Sequence, residues 1–289
     1  MFTLTRHHHG VPIMHEILIV AQKEFRDGLR NRWVLAISVV FALFALGLAY
    51  FGAAASGQVG FVSLDTTIVS LSSLAIFVIP LIALLLAYDS VVGEDEAGTL
   101  LLLLSYPLSR IQLLTGKFVG HATVLALSTL LGFGLAALAI AILTGELASA
   151  TLWKAFGFFI LSAVMLGWVF IALAYLVSVV ASEKTRAAGM ALIIWFLFVL
   201  VFDLALLGIL VATQGGVGAQ VFPYLLMLNP TDVFRLANLA GYEAAQAYSG
   251  LVFVASAQLF RPPLLFGVLL LWIIMPFGAA CWLFNRRVS

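Results

Sequence analysis

Residues 67–110 read TIVSLSSLAIFVIPLIALLLAYDSVVGEDEAGTLLLLLSYPLSR, and this stretch decides the fold. From Thr67 to Tyr88 it carries no charge. An apolar helix of about 20 residues, rising 1.5 Å per residue, crosses a hydrocarbon core of roughly 30 Å. Asp89, Glu94, Asp95 and Glu96 then arrive together. The Leu100–Leu104 run behind them falls short of the ~17 residues that a crossing requires. Pro107 and Arg110 close the segment, and the next long apolar run begins near Phe118. One helix therefore leaves the bilayer, the chain makes a short charged excursion, and a second helix returns.

The same pattern continues in both directions. Uncharged or nearly uncharged runs at 34–54, 118–143, 153–181, 187–212 and 264–284 join 67–88. Of the 289 residues, 64% are hydrophobic and 9% charged. A soluble surface needs about a quarter charged residues, which excludes a water-soluble globule. The expected fold class is an all-α polytopic membrane protein with about six transmembrane helices. Residues 14–33 read as an amphipathic lead-in helix. Leu18, Ala21, Phe25, Leu29 and Trp33 fall on one face, with Lys23, Arg26, Asp27 and Arg30 on the other. Such a helix lies at the interface with its basic face toward lipid headgroups. Residues 34–289 form the transmembrane domain, with a polar segment at 89–110 and an outer segment at 213–262. In the outer segment Val221–Leu228 and Leu251–Leu259 are too short to cross and read as short helices on or dipping into the membrane face. Residues 1–13, with His7, His8 and His9, read as an extension or tag-like segment.

Basic residues set the orientation. Lys23, Arg26, Arg30, Arg32, Arg110, Lys117, Lys184, Arg186, Arg286 and Arg287 fall on one side, and only Lys154, Arg235 and Arg261 on the other. Lysine and arginine near spans stay in the cytoplasm, so both termini are expected there. An even number of spans meets that requirement.

Several chemistries are missing from the sequence. Gly116-Lys117 is followed by Phe118, so the phosphate-binding G-x-x-x-x-G-K-[ST] pattern fails, and no G-x-S-x-G, H-E-x-x-H or C-x-x-C occurs. The net charge of +1 gives no electrostatic ground for nucleic acid binding. Cys281 stands alone in an apolar helix and reads as a packing residue. Met165, Met190, Met227 and Met275 lack ligand-like spacing, so ordinary packing is expected rather than a metal site. Energy for any work would come from elsewhere.

The acidic excursion carries a family resemblance. Glu94, the E-x-G-T stretch from Glu96 through Gly98 to Thr99, then Pro107, Ser109, Arg110, Gly116 and Lys117 resemble the membrane subunits of ABC-2 type transporters. The resemblance covers nearly all of the chain from Met14 onward. It implies that Glu94, Asp95, Glu96, Gly98, Thr99, Pro107 and Arg110 belong to a coupling segment that docks on a separate ATPase. That ATPase would bind ATP and Mg, and this chain no cofactor of its own. The implied assembly is a homodimer with two ATPase copies in the bacterial inner membrane. Within the family, His15-Glu16-Ile17, Lys23-Glu24-Phe25-Arg26-Asp27 and Asn229-Pro230-Thr231-Asp232-Val233-Phe234-Arg235 are similar to the permeases that serve maturation of the copper centre of nitrous oxide reductase. That similarity implies a sulfur or copper species as cargo, a periplasmic partner protein and a copper chaperone.

Four further residues stand out. Asp203 is the one carboxylate well inside a span, roughly 13 Å deep. A charge at such depth costs about 2.5 kcal/mol or more, so it packs inward or serves a pathway. Asp232 and Arg235 stand three apart and are expected to pair on the outer surface; the resemblance implies instead that they lie where a periplasmic partner docks. His121 is expected at the interface. Rival readings are an ABC-2 exporter of a drug, lipid or glycan, a secondary transporter driven by protons through Asp203, and, last, an intramembrane enzyme.

Overall fold

The computed structural model describes residues 13–30, 32–51, 60–61, 63–213, 221–239 and 261–286. The extension at 1–12 and the apolar piece at 251–259 lie outside the described residues. The lead-in helix is α1 (Ile13–Arg30). Next come α2 (Trp33–Phe51), α3 (Leu64–Ala87), and two short helices, α4 (Val92–Glu96) and α5 (Thr99–Ser105). The long α6 (Arg110–Thr144) and α7 (Ala150–Val180) follow. A composite span starts as α8 (Lys184–Phe196), widens into a π turn at Leu197–Val201 and resumes as α9 (Phe202–Ala212). Two short outer helices, α10 (Phe222–Met227) and α11 (Pro230–Leu239), precede the last span, α12 (Pro262–Arg286). No strand occurs among the described residues.

Among the described residues, six helices are long and apolar enough to cross a membrane. Five of them follow the runs read from the sequence within a few residues at each end. The third begins earlier, at Arg110 rather than near Phe118. Ser109 explains this: its hydroxyl accepts from Gln112 N, and the Gln112 side chain accepts from Ser109 N, a reciprocal cap that starts the helix in the polar segment.

The bundle is arranged around α7, whose residues are mostly buried and which packs on α3, α6 and α12. α6 takes α1 and α2 along its other side. Glycines set those approaches. A Cβ at Gly116 would stand 2.9 Å from Ile17 O, one at Gly120 2.9 Å from Ala21 O, and one at Gly132 2.7 Å from Ser38 O. The Gly116-x-x-x-Gly120 spacing puts both bare positions on one stripe of α6, so the backbone of α1 lies directly against it. α1 thus buries Val20, Ala21 and Glu24, while Leu18 and Leu29 remain exposed for lipid. α11 differs from the expectation of a surface helix. Pro230 to Phe234 and Leu236 to Asn238 are buried, because α11 is inserted among α3, α7 and α12.

Candidate functional site

α3 ends where Asp89 and Ser90 turn the chain, and Ser178 on α7 receives it. Ser178 Oγ accepts from Val91 N at 2.9 Å and Val92 N at 3.2 Å, so a span side chain holds the first amides of the polar segment. This fixes the phase of α4 and aims Glu94 inward. Glu94 Oε1 lies 2.7 Å from Lys117 Nζ, which also donates to Glu24 Oε1 at 3.0 Å. Lys117 is 3% exposed. His121, four residues along the same face of α6, places Nε2 3.7 Å from Glu24 Oε2. Its Nδ1 is hydrogen-bonded to Tyr175 Oη at 2.8 Å, with Ser90 Oγ at 3.4 Å. Burial opposes ionisation of Glu24, but Lys117 and His121 outweigh it and hold this carboxyl down at about 2. One lysine therefore ties the lead-in helix, α4 and α6 together, and His121 extends the tie to α7.

The sequence reading assigned Glu94 to the ATPase-facing surface; the structure turns it to the interior, onto Lys117. His121, expected at the interface, is inside the same cluster. Asp95, Glu96, Gly98, Thr99 and Pro107 do lie on the exposed side. Glu96 Oε1 accepts from Lys184 N at 2.6 Å, and Lys184 Nζ reaches Asp89 at 3.1 Å, fastening α4 to the start of α8. Gly98 separates α4 from α5 with φ 68°, a left-handed conformation that glycine adopts without strain. Arg110 is half-buried and donates to Phe284 O at 3.1 Å, joining the polar segment to the end of α12. The sequence reading treated Leu100–Leu104 as a run too short to cross, and none of the residues it named for docking belongs to the exposed apolar surface of α5. Leu101 and Leu102 are each 65% exposed and Tyr106 64%. The signal was present in five leucines too few to cross and too apolar for a solvated loop. On α1, Lys23 reaches Glu24 and Asp27, Arg30 pairs with Asp27 at 3.2 Å, Phe25 is half-buried and Arg26 is exposed.

A second network lies near the opposite end. Asn229 caps α11: its Oδ1 accepts from Thr231 N at 3.1 Å, with Pro230 at the position where a missing amide costs nothing. Asn229 Nδ2 donates to Phe198 O at 2.9 Å and to Asp232 Oδ2 at 3.0 Å. Thr231 Oγ1 donates to Phe198 O at 3.1 Å. Arg235 then spans two carboxylates, Nη1 to Asp232 Oδ1 and Nη2 to Asp203 Oδ2, both at 2.9 Å. The expected Asp232–Arg235 pair forms, but Asp232 is buried rather than on the surface, and Asp203 joins it. Burial pushes the Asp232 carboxyl up to about 7, against the pull of Arg235 and with the help of Asp203.

Among the described residues, no group of three or more His, Cys, Asp or Glu side chains is placed to hold a metal ion. The four methionines considered above stand on α7, α8, α10 and α12.

Known proteins are similar to this chain along nearly its whole length. The sequence model for ABC-2 family transporter proteins matches residues 18–288. A probable ABC transporter permease protein NosY of Stutzerimonas stutzeri is 53% identical over 276 residues, covering 96% of this chain and 100% of the relative. The protein of the same description from Pseudomonas aeruginosa is 57% identical over 274 residues, covering 95% and 99%. A charged excursion fastened to the spans, six crossing helices and this full-length similarity converge: the chain belongs to the ABC-2 family of transporter proteins.

Proposed function

We propose that this chain is the permease subunit of an ATP-driven transporter in the bacterial inner membrane, with both termini cytoplasmic. It acts as a homodimer carrying two copies of a cytosolic NosF-like ATPase, which binds ATP and Mg. A periplasmic NosD-like protein and a copper chaperone complete the system. Its cargo is a sulfur or copper species used in maturing the copper centre of nitrous oxide reductase. Support for this finer reading is the description shared by both relatives, whose similarity runs the length of the chain.

The observation that carries the mechanism is the stacking of an exposed docking surface on a buried ionic tie. Leu101, Leu102 and Tyr106, rimmed by Asp95 and Glu96, offer the ATPase an apolar patch with an acidic edge. Directly behind it Glu94 grips Lys117 on α6, and Lys117 grips Glu24 on α1. Closure of the ATPases displaces α4 and α5, and the tie passes that displacement to α1 and α6, which move as rigid bodies. Coupling of this kind needs two arrangements within a few kcal/mol of each other.

The test is co-purification. A tagged wild-type chain brings down the ATPase in equal amount. Leu101→Asp with Leu102→Asp removes the ATPase at least tenfold while the elution volume of the permease stays that of the wild type. Unchanged ATPase recovery in the double variant contradicts the docking assignment.

A further inference from the structure

The fifth span, α8 through α9, is interrupted. A π turn inserts a residue into a helix, shifts everything beyond it in register, and is a recognised place for a helix to bend. Here the turn occupies Leu197–Val201. Beyond it α9 is sparsely held: Leu206 is its one buried residue, while Leu204, Leu207 and Val211 are exposed. Against this turn stands α11, which is fixed on its other sides by α3, α7 and α12. Asn238 Nδ2 to Ser162 Oγ at 2.8 Å adds a buried polar link from α11 to α7.

The polar links between α11 and the fifth span are of two kinds. Asn229 and Thr231 grip Phe198 O, within the π turn. Arg235 grips Asp203, just past it. The first grip is largely buried, whereas the Arg235 and Asp203 side chains are 30% and 34% exposed. We infer that the π turn is a hinge, and that Arg235–Asp203 is the latch holding the outer half of the fifth span against the fixed α11.

The geometry makes release inexpensive on one side. When Asp203 departs, Arg235 keeps its bond to the buried Asp232, so the guanidinium never stands alone. On the other side, a lone carboxylate inside the membrane is costly unless it reaches water, which returns the latch to its closed state. An outer arm of about 15 Å turning through about 20° moves its tip by about 5 Å.

Electron–electron distance measurement on the full-length chain in lipid nanodiscs tests this, with Cys281→Ser as background and excess unlabelled protein to suppress distances between copies. One label pair, Val211→Cys and Leu264→Cys, reads the outer ends of α9 and α12. The other, Glu183→Cys and Asn285→Cys, reads the inner ends. Asp203→Asn is expected to lengthen or broaden the outer distance by about 5 Å and leave the inner distance at its wild-type value. Asp203→Glu is expected to restore the outer distance. An outer distance unmoved by Asp203→Asn overturns the latch. So does an equal change at both ends, or loss of the inner distance, because either makes the pair a support of the whole fold. Failure of Asp203→Glu to restore the distance also overturns it.

Discussion

Ser178 and Ser162, on the same central helix, mark two ionic networks about 24 Å apart along its axis. They use the same chemistry in opposite ways. In the inner one a buried lysine sits between two carboxylates from different elements, so three parts of the chain are tied at one ammonium. In the outer one an arginine with two donating arms holds a buried carboxylate with one and a half-exposed carboxylate with the other. A lysine nitrogen buried between its partners suits transmission, since nothing moves alone. A planar arginine that keeps one partner while releasing the other suits a reversible contact.

The comparison breaks most readily at the central cations. Lys117→Met takes the counter-charge from Glu94 and leaves Glu24 only the half-exposed Lys23, and is expected to cost about 3–5 kcal/mol, read as loss of thermal stability in detergent. Adding Glu24→Gln and Glu94→Gln to it should recover most of that loss, because a neutral trio has no charge to desolvate. Arg235→Met should cost distinctly less. Asp232, already shifted to about 7, takes up a proton instead of remaining charged.

Acid sharpens the difference, because the two networks respond with opposite sign. Glu24 has its carboxyl lowered from 4.5 to about 2 in the folded chain. Its contribution, about 3 kcal/mol at most, is present above pH 4.5 and is lost as pH falls toward 2. Asp232 is raised from 3.8 to about 7, so the folded chain binds the extra proton and stability declines as pH rises through that window. Melting curves of Glu24→Gln and wild type should therefore converge below pH 4.5. Asp232→Asn should gain on wild type between pH 4 and 7.

A smaller contrast lies in the packing beside each network. Gly120→Ala brings a Cβ within 2.9 Å of Ala21 O and 2.5 Å of Glu24 Cβ, so α1 must lift. A loss of about 1–3 kcal/mol is expected. Gly208→Ala in α9 meets nothing within 4 Å and should change stability by no more than about 0.5 kcal/mol, or raise it slightly.

How far these networks could be read beforehand follows from their sequence separation. The spans were legible because uncharged apolar runs have few alternatives in a bilayer, and α1 because its periodicity is local. Asp232 and Arg235, three apart, announced their pairing, but their burial depended on α11 lying among other helices. Asp203 joins from 32 residues away, and nothing near either residue points to the other. The π turn left no local mark in Leu197–Val201, five apolar residues like their neighbours. At the coupling segment, three successive acids looked equally solvated. Which one turns inward is decided by Ser178 on α7, which sets the phase of α4 from 86 residues away. Lys117 was read as an orienting basic residue and as part of a family pattern, not as a buried cation, although the flanking Gly116 and Gly120 were a local hint that another helix would crowd it.

The central claim is that Glu94 carries motion from the docking surface to the lead-in helix. Glu94→Ala tests it without emptying the site, since Lys117 keeps Glu24. Labels at Arg26→Cys on α1 and Ser182→Cys before α8, in the Cys281→Ser chain reconstituted with its ATPase, report how far α1 moves when nucleotide binds. The account predicts that wild type shows a nucleotide-dependent distance change, and that Glu94→Ala loses it while still holding the ATPase. A change of full size in Glu94→Ala would contradict it.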